Sequence, residues 1–306
     1  MKTHNKIILS VAFFSLMLSC KKEVEVKLPE SKYQLVMNCI MSEDSLFTVS
    51  VTRTKKLYVD DNANTDVTNA TVSIYENGVF IEDLKHIKAD IYQSPSFKPI
   101  NGKEYKVVIK AEGYSDAEAT ETLIKQAQIS NIIFEENALV KQSDTLSKIS
   151  FEISDPPLVK NYYELEVLMV TYMPDYRNPN NSKDSIRNIF PYFMLINDEA
   201  LKENFSPSLD GNSDYTTNNL QFSDKYIDGK IYNVNAYLFP SFTTGDDTII
   251  VNVKSVSKSY YEYKRTVLEQ TNSGGPFSEP VRVFTNVKGG TGILGSYSQS
   301  KKYFKK

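Results

Sequence analysis

The 306-residue chain has no tryptophan, two cysteines and two histidines. His4 lies in the first few residues, which leaves His86 as the only histidine in the rest of the chain. A zinc site built from cysteine and histidine needs more ligands than this. A serine–histidine–aspartate site would depend on His86, which lies in a charged segment, and the chain has no Gly-x-Ser-x-Gly motif. The composition therefore argues against both kinds of catalytic site.

The chain also lacks an apolar run of 18 or more residues, whereas a membrane-spanning helix needs about 20. Its longest apolar run, residues 7–18, follows the basic residues Lys2 and Lys6. A basic lead-in followed by a short apolar run is the layout of a secretory signal peptide. Residues 1–19 are therefore predicted to be a signal peptide.

A small residue, Ser19, precedes Cys20 at the end of the apolar run. This pattern predicts a bacterial lipoprotein that is cleaved before Cys20 and acylated on it, so that the acyl chains hold the protein on membrane lipid. The alternative is an ordinary signal peptide with a cysteine near its cleavage site. Residues 20–31 are predicted to be a tether. Their charged start resembles the signals that send some lipoproteins to the cell surface, and a simple solvated tether is the alternative.

The formal net charge is −3, so the chain has no basic field for binding nucleic acid. Charged residues make up 24% and hydrophobic residues 41%, which is ordinary for a folded protein. Cys39 lies in an apolar strand and has no disulfide partner once Cys20 is acylated. A buried, inert thiol is the expected state of Cys39.

Residues 32–125 are predicted to form an immunoglobulin-like β-sandwich. Short alternating runs at residues 47–54, 70–76 and 105–111 have the period of half-buried strands. The pair Asn77-Gly78 lies between two such runs, which is a strong hairpin signal because both residues tolerate positive φ. Strands at this spacing, with no helical pattern between them, favour an antiparallel sandwich.

Residues 126–306 are predicted to form a larger antiparallel β domain with one or two short helices. Residues 162–173 are apolar on both faces, which indicates a central strand. Other strands are expected at residues 189–196, 230–238, 248–256 and 281–287. A short helix is expected at 197–205, and a longer one after Ser257 or Ser259, packed on a sheet. Residues 289–295 are expected to be a turn-rich connection, and 301–306 a solvated basic tail.

Two acidic loops were weighed as calcium sites. Asp210, Asn212 and Asp214 have the spacing that begins a calcium loop, but Tyr215 replaces the required glycine and Gln221 the bidentate glutamate. Residues 55–68 are rich in aspartate and asparagine, and a solvated loop is the preferred interpretation. The adjacent pairs Glu135-Glu136 and Asp246-Asp247 are poor catalytic candidates, because neighbouring strand residues point to opposite faces. No cofactor is expected.

Several phrases resemble a known family: residues 20–23, 68–74, 222–232, and the stretch from Phe-Ser-Glu-Pro-Val at 277–281 to Gly-Ile-Leu-Gly at 292–295. Together they are similar to the outer-membrane lipoproteins of the domain of unknown function 4249 family. The resemblance implies an immunoglobulin-like module followed by a larger β domain. It also implies a TonB-dependent transporter as partner, since such proteins tend to be encoded beside one. It supplies no catalytic residues.

The expected function is therefore that of a non-catalytic outer-membrane lipoprotein, exposed at the cell surface, that accompanies a TonB-dependent transporter in nutrient capture or uptake. A structural or adhesive envelope protein is the alternative, and an extracellular hydrolase that uses carboxylates is a third. Carboxylates gathered in one pocket would favour the hydrolase, whereas an exposed apolar and tyrosine patch would favour a partner protein.

Overall fold

The computed structural model describes residues 32–55, 64–141, 144–174, 185–202, 215–239, 248–273 and 281–305, and residues 33–306 form one compact unit. The strands in these segments are β1 Leu35–Met41, β2 Thr48–Arg53, β3 Thr71–Glu76, β4 Val79–Asp83, β5 Lys85–Lys88, β6 Ile91–Gln93, β7 Glu104–Lys110, β8 Ala117–Thr122, β9 Gln128–Lys141, β10 Asp144–Ser154, β11 Tyr162–Pro174, β12 Ser185–Pro191, β13 Met194–Ile196, β14 Tyr215–Thr217, β15 Asn219–Ser223, β16 Ile231–Leu238, β17 Thr248–Val256 and β18 Thr291–Lys305. Helix α1 is Lys258–Asn272, and Glu199–Leu201 form a single 3-10 turn. Within the described segments no helix is long and apolar enough to cross a membrane.

The strands form three sheets. A large sheet has the order β12-β11-β17-β18-β1-β2-β6-β5, with β15 also pairing with β11. A five-stranded sheet has the order β14-β13-β16-β10-β9, and a four-stranded sheet the order β4-β3-β7-β8. All the pairings are antiparallel except that of β1 with β18. The prediction of a mainly antiparallel all-β chain with short helices is confirmed.

The first hydrophobic core is built by alternation on β1, β2, β3, β7 and β8. On β2, Val49 and Val51 are buried, whereas the hydroxyl residues that alternate with them are only partly buried. On β3, Val72 and Ile74 are buried in the same alternating way. Side chains of alternating residues point to opposite faces, so each strand supplies one apolar row to this core. The predicted hairpin at Asn77–Gly78 is confirmed, with φ of 47° and 81°.

A second core lies between the five-stranded sheet and β11, β15 and β17 of the large sheet. Phe151 and Ile153 of β10 are in it, as are Leu165 and Val167 of β11. The residues of β11 that alternate with these project from the opposite, outer face of the large sheet. The prediction that 162–173 is a central strand is confirmed, since β11 pairs with β17 on one side and with β12 and β15 on the other.

Strand β18 links the two halves of the large sheet. Its first part pairs in parallel with β1 and its second part pairs antiparallel with β17. Gly292 is essential to the first pairing, because it has φ of +104° and a Cβ there would lie 2.0 Å from the carbonyl oxygen of Met37. The boundary predicted between residues 125 and 126 stays a prediction.

The carboxyl-terminal expectations were partly wrong. Residues 281–287 are not a strand: their polar groups bond to side chains, for example Phe284 N–H to the Thr266 hydroxyl at 2.9 Å. The expected connection at 289–295 and the expected tail are instead largely strand β18, in which Lys301 pairs with Asn252 and Phe304 with Ile249. The tail is basic because most of its residues are exposed, although its backbone pairs with β17.

Helix α1 begins as predicted, with the Ser257 hydroxyl accepting a hydrogen bond from Tyr260 N–H at 3.2 Å. Residues 189–196 are not one strand, because the chain leaves the large sheet after β12 and enters the five-stranded sheet as β13. The expected helix at 197–205 is only the short 3-10 turn in its described part. Strand β9 was missed, since residues at positive φ, Asn131 and Asn137, interrupt its alternation.

Candidate functional site

The outer face of the large sheet is the candidate site. Directly paired residues of antiparallel strands project to the same face, so the register places cross-strand rows on it. We call the start of β11 the bottom of this face and the end of β11 its top. From bottom to top the rows are Tyr162–Val256–Tyr297, Glu164–Lys254–Gln299, Glu166–Asn252–Lys301, Pro191–Leu168–Ile250–Tyr303 and Ile189–Val170–Thr248–Lys305. Above them, Tyr172 lies opposite Arg187. The face therefore changes from aromatic through charged to apolar along the strands.

The bottom row is covered by helix α1. Tyr260 and Tyr261 of the helix form a buried cluster with Tyr162 and Val256, and the rings of Tyr162 and Tyr261 are 4.6 Å apart. The helix thus packs on the sheet, as expected, and does so through Tyr260 and Tyr261. This packing leaves the upper rows to other parts of the molecule or to solvent.

The middle rows contain a buried ion pair. The Lys254 ammonium lies 2.6 Å from the fully buried carboxylate of Glu164 and 3.3 Å from that of Glu166. Tyr260 donates a hydrogen bond to Glu164 at 3.0 Å, and Gln221 donates another at 2.9 Å. Burial acts to raise the pKa of Glu164, but the charges of Lys254 and Lys264 and the hydrogen bonds from Lys254 and Gln221 outweigh it, so the pKa lies below its usual value.

The same cluster also holds the pKa of Lys254 above its usual value: burial acts to lower it, and Glu164 outweighs this effect. Beside the pair, Asn252 donates to the Glu166 carboxylate at 3.3 Å. The side-chain oxygen of Asn252 is buried without a hydrogen-bond partner. Ionised, mutually bonded groups of this kind fix the geometry of the sheet.

The upper rows form a surface that we call the open face: Leu168, Tyr172, Ile189, Pro191 and Tyr303. Tyr172 is 56% exposed and Tyr303 62% exposed, while Val170 and Ile250 lie buried between them. Arg187, Lys301 and Lys305 lie in or next to its rows. Contiguous apolar surface with tyrosine and cationic groups at its border is typical of a protein contact, because tyrosine offers an apolar body and a polar edge.

A second feature lies where β10, β11, β15 and β16 end or begin. Carboxylate oxygens of Asp155, Asp224 and Asp228 lie within 4.8 Å of one another and could hold a metal ion. They already accept backbone hydrogen bonds, to Asp155 from Gly229 at 3.1 Å, to Asp224 from Asn161 at 2.5 Å, and to Asp228 from Leu158 at 3.0 Å. Burial, together with the other two carboxylates, raises the pKa of Asp224.

The sites expected from sequence are only partly within the described residues. Cys20, Asp210, Asn212 and Asp214 lie outside them, and so do Asp246 and Asp247. In the loop 55–68, the described part holds a local turn in which Asp66 N–H bonds to the Asn64 side chain at 3.0 Å. His86 is exposed on β5 and its Nε2 lies 2.8 Å from the Ala89 carbonyl oxygen.

Cys39 is a buried free thiol as expected, and burial raises its pKa to about 12. The open face and the aspartate cluster were not predicted. The available signal for the first was the presence of apolar residues on both faces of β11. The available signal for the aspartate cluster was Asp155 before two prolines, together with the Asp-x-x-x-Asp-Gly sequence at 224–229, which lies within one of the family phrases.

No curated protein matches the chain. The family model of the domain of unknown function DUF4249 matches residues 21–303, which is nearly all of the chain and includes every strand of the open face. The chain therefore belongs to the DUF4249 family.

Proposed function

We propose that the protein is a non-catalytic, lipid-anchored outer-membrane protein that accompanies a TonB-dependent transporter, which it contacts through the open face. The anchor is the acylated Cys20, and the cell surface is the proposed location. The role is to capture cargo for the transporter or to cap its barrel.

The observation that carries this proposal is the exposure of Tyr172, Ile189 and Tyr303 on one face of the sheet. Side chains of this kind gain free energy when a partner removes them from water, at about 25 cal/mol per Å² of apolar surface. Strand β12 also ends the large sheet, so a partner could pair with its backbone as well. Both features favour binding of a protein over conversion of a small substrate.

The arrangement of the carboxylates supports the same choice. The aspartates at the loop cluster accept hydrogen bonds from backbone N–H groups, which is how carboxylates hold loops in place. Glu164 is held by a lysine, a tyrosine and a glutamine. Hydrolysis by two carboxylates would need an acid and a base placed across a substrate cleft.

The test is purification of the tagged protein from gently solubilised native membranes. The wild type is expected to recover a transporter in stoichiometric amount, and the double variant Ile189→Asp, Tyr303→Ser to lose it. Val79→Asp, a change at an exposed residue of β4, is the control and is expected to retain the partner. Fatty-acid labelling is expected to mark the wild type and not Cys20→Ala.

Each other result has a definite meaning. Recovery of the protein alone would favour the structural or adhesive alternative. Equal recovery by the Ile189→Asp, Tyr303→Ser variant would move the contact away from the open face. Labelling of Cys20→Ala would contradict the proposed anchor. Turnover of glycans or peptides that alanine changes at aspartate or glutamate abolish would reinstate the hydrolase.

A further inference from the structure

Two loops form one rigid projection at the start of β11, which we call the two-loop tip: residues 155–161 and 224–231. Five hydrogen bonds donated by backbone N–H groups join the loops. They are Asp155 N–H to the Lys230 carbonyl, Asp224 N–H to the Asn161 carbonyl, and the three bonds to the carboxylates of Asp155, Asp224 and Asp228 described above. The aspartates are therefore the scaffold of the tip.

The tip carries apolar side chains on its outside. Leu158 is 95% exposed and Ile231 74% exposed, and Val159 and Tyr226 are also exposed. Ile227, between them, is buried and attaches the second loop to the second core. The exposed side chains thus lie on a base that the hydrogen bonds between the loops and the burial of Ile227 hold in place.

The backbone of Leu158 is held in a costly conformation. Its φ is +65°, in the left-handed region that a branched side chain such as leucine rarely adopts. The hydrogen bond from Leu158 N–H to Asp228 holds it there. The structure thus keeps an apolar side chain in water at a position where asparagine or glycine would be more stable, and such strain is characteristic of functional surfaces.

The first loop begins with residues that leave no free backbone N–H group. Pro156 and Pro157 have no N–H group, and the N–H of Leu158 is bonded to a carboxylate. Unsatisfied backbone N–H groups are the main obstacle to placing a loop in lipid, because hydrocarbon offers them no acceptor. The loop presents three successive residues without such a group.

Exposed lysines surround the apolar side chains. Lys160 lies in the first loop, and Lys225 and Lys230 in the second. The Lys225 ammonium is 5.0 Å from the centre of the Tyr226 ring, and that of Lys230 donates to the Tyr226 carbonyl at 3.1 Å. Lysine and tyrosine beside aliphatic side chains match the phosphate and interfacial layers of a bilayer.

The direction of the strands is consistent with this match. Strand β1 is parallel to β18, and both β11 and β18 are antiparallel to β17, so β1 and β11 run in the same direction. The first loop of the tip immediately precedes β11, so it lies at the end of the large sheet at which β1 also begins.

We propose that the two-loop tip is a lipid-surface contact that inserts its exposed apolar side chains into the interfacial layer of the membrane. The inference rests on the proposed lipid anchor at Cys20 and adds a second point of attachment. An anchor alone leaves the body free to rotate about its tether, whereas two contacts orient it, and with it the open face, relative to the bilayer.

The test uses the full-length lipoprotein, reconstituted in vesicles of phosphatidylethanolamine with anionic phosphatidylglycerol. Leu158→Cys is labelled with an environment-sensitive fluorophore; Cys39 is buried and Cys20 is acylated, so neither competes for the label. Nitroxide-bearing lipid is expected to quench this label at least twofold more than a label at Val79→Cys, which is 66% exposed on β4. Equal quenching at the two positions would overturn the proposal.

A second variant separates insertion from folding. Leu158→Asn accepts the left-handed backbone but removes the apolar side chain, so it is expected to fold and to reduce at least twofold the quenching of a label at Ile231→Cys. Unchanged quenching at that position would contradict insertion of the loops as a unit. A Leu158→Cys label that lipid does not quench, but that the transporter shields from soluble iodide, would make the tip a protein contact instead.

These results are independent of the anchor. Fatty-acid labelling that is lost in Cys20→Ala, combined with no quenching at the tip, would retain the proposed function and reject the tip as a lipid contact. Quenching at the tip without fatty-acid labelling would retain the tip as a lipid contact and reject the proposed anchor at Cys20.

Discussion

The buried ion pair beneath helix α1 supports a prediction about stability. In Glu164→Gln, Lys254 keeps only Glu166, at 3.3 Å, and Lys254→Met leaves the Glu164 carboxylate fully buried with only neutral donors. Removing one partner of a buried pair costs about 3–5 kcal/mol, because the other charge is left uncompensated. We expect about 3 kcal/mol for Glu164→Gln and about 4 kcal/mol for Lys254→Met, because Lys254 keeps a direct ion pair with Glu166, whereas Glu164 keeps only the more distant charge of Lys264.

The double variant is expected to cost less than the sum of the two single variants by about 2 kcal/mol or more, because it leaves no fully buried charge unpaired and the remaining carboxylate, that of Glu166, is partly exposed. The pH dependence has a defined sign. The pKa of Glu164 is lowered, so its contribution is complete above about pH 4.3 and is lost as pH falls through the folded-state value. The pKa of Lys254 is raised, so its contribution is complete below about pH 10.4 and is lost as pH rises through its folded-state value.

Urea denaturation, followed by tyrosine fluorescence, measures these free energies of unfolding. It is done at pH 7 and again below about pH 4, where the contribution of Glu164 is being lost. The double variant should also show a weaker pH dependence than the wild type. Single-variant losses below about 1 kcal/mol, or strict additivity in the double variant, would refute the view that a desolvated ion pair fixes the middle of the outer face.

Three further predictions concern single residues. Gly292→Ala is expected to lower the free energy of unfolding by about 3 kcal/mol, since its Cβ would meet the Met37 carbonyl. Gly113→Ala, with open space around it, should cost only about 1 kcal/mol. Comparable losses for the two variants in denaturant titrations would be contrary evidence. Leu158→Asn should raise the free energy of unfolding by about 1 kcal/mol, because the residue is exposed and left-handed, and a decrease would show that Leu158 stabilises the fold. The Cys39 thiol should react with a thiol reagent at pH 8 only on unfolding, and rapid labelling of the native protein would contradict its burial.

Much of the fold was predictable because local patterns agree with it. The runs around Val49, Val72 and Val107 alternate with period two, and Asn77-Gly78 marks its hairpin, so these strands follow from sequence. Ser257 likewise marks the start of α1. Such signals are contained in a few neighbouring residues and do not depend on the rest of the chain.

The remainder depends on contacts between distant residues. Residues 301–305 look like a solvated basic tail, yet β17 pairs with them, and no local pattern reveals that partner. The pairing of β1 with β18 depends on Gly292, which lies far from β1 in sequence. The open face could not be predicted either, because it combines side chains from β11, β12 and β18 whose register is set by tertiary structure.

The aspartate cluster illustrates the same limit at the site. In the sequence Asp155 precedes two prolines, and Asp224 and Asp228 lie in the family phrase at 222–232. Only the folded chain brings the three carboxylates within 4.8 Å and bonds them to the opposite loop. The residue types can be read from the sequence. Their hydrogen-bond partners depend on the fold, which places the ends of β10 and β15 beside the starts of β11 and β16.

Site-specific photo-cross-linking in native membranes tests the proposed partner contact most directly. A photoreactive phenylalanine derivative replaces Tyr303 on the open face, and in a matched strain it replaces Val79 on β4. The proposed function predicts that irradiation links the protein to a transporter barrel through position 303 and not through position 79. Adducts with the same protein from both positions, or no adduct from position 303 in cells that contain the transporter, would contradict it.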